Sequence, residues 1–158
     1  MLKVTTPLPL IRQEVPEAEF HVVGGNVEML DPQLLQDAPG VQVVGYVSDV
    51  RSCYRNATVF VAPILTGTGM RVKLLEALSM GMPVVATPLA AHGFAGGSDP
   101  VLLMGETPER LASQTIRLLK DSELRSALGS KARRMVKKQY DWKAIGGRFL
   151  DLVEDGNV

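Results

Sequence analysis

Val59–Thr87 reads VFVAPILTGTGMRVKLLEALSMGMPVVAT. Val59–Pro63 is a short apolar run stopped by a breaker, the pattern of a strand buried on both faces. Gly67, Thr68 and Gly69 make a side-chain-poor loop. Met70–Met80 is rich in Leu, Ala, Met, Lys and Glu and predicts a helix. Gly81 stands where a helix end takes a left-handed residue, and Pro83 opens a second strand, Val84–Thr87. Strand, loop and helix entrance together form an anion site, because free N–H groups and the helix dipole both point into the loop. Arg71 and Lys73 fall in the first turn, where cations oppose the dipole unless an anion is bound there. The segment therefore predicts a phosphate ligand.

Outward from this unit, strands and helices alternate. Leu8, Leu10, Ile11 and Val15 give a short amphipathic helix after Thr6 and Pro7, a cap and first-turn pair. Phe20–Val23 is a strand that ends in a second glycine turn at Gly24 and Gly25. Glu28–Gln36 is a weak helix, and Val41–Val44 a strand closed by Gly45. Ser48 is placed to cap a short helix running through Tyr54. Pro88–Asp99 reads as loop and Val101–Met104 as a further strand. Three helices follow, Pro108–Lys120, Ser122–Gln139 and Trp142–Glu154, capped by Thr107, Asp121 and Asp141. Alternation of this kind predicts a parallel sheet covered on both faces. Ligands of such sheets bind beyond the carboxyl ends of the strands, which here carry Gly24-Gly25, Gly45-Tyr46, Pro63–Gly69 and Thr87–Gly93. These four loops are expected to converge. The apolar stripe of the last helix, with Trp142 as anchor, is expected to pack on the sheet, with a partner outside the domain as the alternative.

The 158 residues allow one domain, alone or as part of a larger protein. Seventeen basic and 17 acidic residues leave a formal charge of zero, so no basic field for nucleic acid is present. One cysteine, Cys53, allows no disulfide within the chain and fits a reducing cytoplasm. His21 and His92 are isolated, so no metal is expected. No apolar run approaches a membrane span. The cluster Lys131, Arg133, Arg134, Lys137 and Lys138 reads as a solvated face, with peripheral contact to an anionic membrane as its alternative.

The order Val22-Val23-Gly24-Gly25, Val43-Val44-Gly45-Tyr46-Val47-Ser48-Asp49-Val50, Gly67-Thr68-Gly69-Met70-Arg71-Val72-Lys73, Leu75-Glu76-Ala77 and Met80-Gly81-Met82-Pro83-Val84-Val85-Ala86-Thr87 resembles the carboxyl-terminal domain of family 4 glycosyltransferases, which have the two-domain GT-B fold. The resemblance runs almost end to end. It implies an α/β, Rossmann-like three-layer domain with a parallel sheet, the carboxyl-terminal half of a GT-B fold with its usual first strand missing. Residues 1–158 would form a single nucleotide-sugar-binding domain.

The resemblance further implies that the Glu76 carboxylate accepts the ribose hydroxyls of a nucleotide-diphosphate sugar, a group suited to two O–H donors. Backbone N–H groups near Met70 would hold the diphosphate, and Arg71 and Lys73 would neutralise it. Tyr46 and Val47 would pass beside the base, and Gly24 and Gly25 would admit the ligand to the backbone. The implied reaction is glycosyl transfer with retention and without a metal or other cofactor. The acceptor half lies in an amino-terminal domain absent from this sequence, so the chain is expected to be inactive alone. Thr68 stands where the family often has a second acid. A non-catalytic binding module with the same fold is the alternative, and Glu76 could instead pair with Lys73 on a solvated helix face. A nicotinamide domain is disfavoured, since no Gly-x-Gly-x-x-Gly follows the first strand.

Overall fold

The structure, a computed structural model, describes residues 7–25, 39–67, 71–94 and 99–154. The first helix, α1 (Pro7–Glu14), buries Leu8 and Ile11 and leads into β1 (Phe20–Val23). β1 runs parallel to β2 (Val41–Gly45), with Phe20 opposite Val41 and Val22 opposite Val43. Next come α2 (Arg51–Asn56), β3 (Phe60–Ala62), α3 (Val72–Ser79) and β4 (Val84–Ala86). A four-residue helix, α4 (Pro88–Ala91), precedes β5 (Leu103–Met104). Three longer helices complete the order: α5 (Pro108–Lys120), α6 (Ser122–Gln139) and α7 (Trp142–Glu154).

Every strand pairing is parallel, as expected, with β4 between β3 and β5. The strands do not form one sheet, however. Among the described residues β1 and β2 make one sheet and β3, β4 and β5 another. No described strand belongs to both sheets.

β4 explains the layering. Its three residues are fully buried, and alternate side chains on a strand point to opposite faces. Val84 and Ala86 join Leu74, Ala77 and Leu78 of α3 and Ala132 and Val136 of α6. Val85 joins Leu111 and Leu118 of α5 on the other face. Burial of each Val or Leu side chain here contributes roughly 1.5–3 kcal/mol. Against α5 lies α1, so the same outer layer also covers the start of the two-stranded sheet's chain.

Helix ends follow local chemistry. Thr107 accepts from the Arg110 amide at 3.2 Å and Asp121 from the Leu124 amide at 2.8 Å. Asp141 accepts from the Lys143 amide at 3.0 Å. Gly81 ends α3 with φ of 72°, in the left-handed region that glycine tolerates.

Four expectations are corrected. α2 starts at Arg51, and it is Asp49, not Ser48, that accepts from an amide of its first turn, at 3.0 Å. The stretch after Thr87 is not all loop: Thr87 caps α4, with Pro88 in its first turn. α7 does not pack on a sheet, since none of its residues is buried. Trp142 anchors nothing, being 86% exposed. The weak helix over Glu28–Gln36 and the Thr6 cap lie outside the described residues.

Candidate functional site

The described part of the site is built at the carboxyl end of β3 and the entrance of α3. Arg71 occupies the N-cap of α3 without a side-chain cap of its own. Its guanidinium instead donates to the Gly67 carbonyl at 2.8 Å, so loop and helix start are tied together. Gly67 has φ of 109°, a conformation that strains any residue with a Cβ. Thr68, Gly69 and Met70 lie outside the described residues. Thr87, 2% exposed, locks the rim from the neighbouring strand: its hydroxyl donates to the Ile64 carbonyl and accepts from the Ala90 amide.

Two cavities flank this entrance. One, about 270 Å³, is lined by Phe60, Ala62 and Ile64 together with Arg71 and Lys73. The other, an open cleft of about 530 Å³, lies between α3, α6 and the start of α7, where Glu76, Arg133, Lys137, Tyr140 and Trp142 line it. Val72 borders both. The two cations and the carboxylate therefore open on adjoining spaces rather than on a single pocket. Lys73 joins them, its ammonium lying 3.0 and 3.2 Å from the two Glu76 oxygens. That ion pair is the one anticipated for a solvated helix face. Both side chains are at least a third exposed, so it contributes about 1 kcal/mol or less.

Glu76 has a second partner that sequence reasoning missed. The Tyr54 hydroxyl donates to its Oε2 at 3.1 Å. Tyr54 is buried, with its ring against Phe60 at a centroid distance of 5.9 Å. Burial, and then the Glu76 hydrogen bond, push its phenol well above the usual tyrosine range, so it remains a donor. Val50 and Tyr54, four apart on a helix, signal a buried face. A buried tyrosine needs a hydrogen-bond partner, but nothing local names Glu76 as that partner.

The other expected residues sit on the two-stranded sheet. The Gly24 amide donates to the Gly45 carbonyl at 2.9 Å, bringing those two loops together. Among the described residues, no atom lies within 4 Å of a Cβ added at Gly24 or Gly25. Tyr46 is 78% exposed and Val47 half-buried. Among the described residues no His, Cys, Asp and Glu cluster could hold a metal ion, and no helix is long and apolar enough to cross a membrane.

A family model, glycosyl transferases group 1, matches residues 4–121. The chain belongs to this family. Among curated relatives, it is 29% identical over 159 residues to a phosphatidyl-myo-inositol mannosyltransferase of Mycolicibacterium smegmatis, covering 98% of this chain and 41% of the relative. It is 29% identical to a GDP-mannose-dependent alpha-(1-6)-phosphatidylinositol monomannoside mannosyltransferase of Mycobacterium tuberculosis, covering 95% and 43%. The chain thus spans about two-fifths of the length of these relatives. Among solved structures it is similar to a mutant S. aureus TarM crystallised with Fondaparinux, alpha-GlcNAc-glycerol and UDP, with TM-score 0.77, 22% identity and coverage of 94% and 31%. It is also similar to a sucrose-phosphate synthase from Thermosynechococcus elongatus, with TM-score 0.76, 22% identity and coverage of 97% and 42%. The chain has the α/β, Rossmann-like fold of GT-B enzymes, as the sequence resemblance implied.

Proposed function

We propose that this domain binds the nucleoside-diphosphate part of a sugar donor for a retaining glycosyl transfer to a glycan or glycoconjugate. The single observation behind the reading is the α3 entrance: Arg71 at its cap, Lys73 in its first turn and Glu76 one turn further on. A diphosphate over that entrance would meet free amides, a favourable dipole and two cations. The ribose hydroxyls would then reach Glu76, and its pair with Lys73 would open as the ammonium turns to the phosphates. During transfer the departing diphosphate gains negative charge, which the same fixed donors stabilise in advance. Thr68, Gly69 and Met70 belong to the proposed diphosphate loop, with Gly67 at its start. Gly24, Gly25, Tyr46 and Val47 are proposed to border the base.

No cofactor or metal is required in this scheme, and the domain is proposed to work in the cytoplasm. Transfer needs an acceptor-binding amino-terminal domain, so residues 1–158 by themselves should bind donor without transferring sugar. Peripheral membrane contact would run through the exposed Arg133, Arg134, Lys137 and Lys138. The curated relatives make GDP-mannose the first donor to try, and the UDP in the TarM crystals makes UDP the second nucleotide.

The test is thermal unfolding with GDP, UDP, ADP and NAD. A nucleotide at a hundred times its dissociation constant raises the midpoint by about 5–10 °C in a domain of this size. Glu76→Ala should abolish that shift while circular dichroism keeps its native form. A shift that survives the substitution removes Glu76 from the site. Silence with every nucleotide, in folded protein, favours the non-catalytic module.

A further inference from the structure

The Glu76 carboxylate is held from two sides by unlike groups. On the outside is Lys73, whose side chain is 67% exposed and free to change partners. On the inside is Tyr54, 8% exposed and wedged in the core. Its ring lies on Phe60, and its hydroxyl also approaches the Lys73 carbonyl, 3.4 Å away, so the oxygen is directed at the first turns of α3. A glutamate on a helix face has several rotatable bonds and samples many positions in water. One hydrogen bond from a fixed donor removes most of that freedom before any ligand arrives. A carboxylate offers about four lone-pair sites, so one directed at Tyr54 leaves enough for two ribose hydroxyls.

We propose that Tyr54 is a positioning residue for nucleotide recognition: its hydroxyl fixes the Glu76 carboxylate, and Lys73 is the exchangeable partner that leaves for the diphosphate. The inference rests on the donor-binding reading above. It adds a role for the helix before β3, which supplies no ligand contact itself. Tyr54 acts from beneath, through Glu76, and touches neither nucleotide nor sugar. The preference for ribose then depends on a buried phenol as well as on the carboxylate.

The experiment is calorimetric titration of the full chain with GDP and UDP, and with their dideoxy forms lacking both ribose hydroxyls. Wild type, Tyr54→Phe, Glu76→Gln and Leu118→Ala are compared. Tyr54→Phe should weaken the ribonucleotide about 3–10-fold, the worth of one ordered side chain, and leave the dideoxy form unchanged. The ratio of the two affinities therefore falls. Leu118→Ala loosens the core on the opposite face of β4, away from Tyr54 and Glu76, so its ratio should stay at the wild-type value. In the Glu76→Gln background, Tyr54→Phe should have no further effect on the ratio. If Tyr54→Phe does not fold, Tyr54→Met takes its place as an apolar occupant without a hydroxyl.

An unchanged ratio in the Tyr54 variant, with wild type preferring ribose and Glu76→Gln losing that preference, overturns the role of Tyr54 and leaves the donor reading intact. A wild type that binds neither nucleotide overturns both. A drop in thermal stability without a change in ratio reduces Tyr54 to a packing residue and overturns the proposal.

Discussion

The two sheets of this domain are made from similar residues and end in different states. β4 and β2 are both valine-rich, yet Val84 and Val85 are fully buried while Val43 and Val44 are 40% and 43% exposed. The difference lies in what covers them. β4 has neighbours on both edges, α3 and α6 on one face, and α5 on the other. β2 has β1 on one edge and, among the described residues, no strand on the other. Side-chain type opens the possibility of burial, and cover decides it. The consequence for function is direct. Arg71, Lys73 and Glu76 stand on the well-packed half, whereas Gly24, Gly25, Tyr46 and Val47 stand on the thinly covered one.

The largest expected effect tests that contrast at its centre. Leu78→Ala empties a fully buried position in α3 and should cost about 2–5 kcal/mol in urea unfolding. Val43→Ala should cost less than about 1 kcal/mol, because half-exposed surface loses little on truncation. Equal losses at the two positions would remove the distinction between the sheets. A somewhat smaller effect probes how tightly the outer layer sits. Gly129 of α6 faces Gly81 so closely that a Cβ there would run into the Gly81 carbonyl oxygen. Gly129→Ala should therefore destabilise by about 1–3 kcal/mol, and a neutral melt would mean that α3 and α6 can separate freely.

Much of this was readable from local chemistry. Phe20–Val23 and the bounds of the last three helices follow from apolar period plus cap. The arrangement at Gly81 follows from a glycine placed after a run of helix formers. What escaped was of two kinds. Thr87-Pro88 is a helix start by the same rule that found Thr107-Pro108. Its helix is only four residues long, too short for a period to show. Tyr54 and the separated sheets depend on contacts between distant residues, which no single segment carries. The site divides in the same way. The Arg71, Lys73 and Glu76 spacing was legible because it lies within one helix. Their opening onto two adjoining cavities was not, since α6 and α7 supply the second wall.

The smallest effect lies at the surface of the exposed α2 turn. The Arg51 guanidinium and amide hold the Asp49 carboxyl down at about 2, below its ordinary value of 3.8. A depressed carboxylate contributes stability that is full above the ordinary value and fades as pH falls toward the lower one. Asp49→Asn should lower the melting midpoint slightly at pH 7 and leave it unchanged only well below pH 2, where the carboxyl is protonated in both states. Because the pair is fully solvated, salt should erase most of the difference.

One property of β3 reaches beyond the isolated molecule. Phe60 donates its amide to the Pro83 carbonyl, and the Ala62 carbonyl accepts from the Thr87 amide. Alternation along a parallel strand then turns the main-chain groups of Val61 outward, toward an edge with no described partner strand. Such an edge is a template: any extended backbone of matching direction can zip onto it with no change in side chains. Among the described residues that edge turns out the main-chain groups of Val61 alone, so a strand added there would gain one donor and one acceptor from β3.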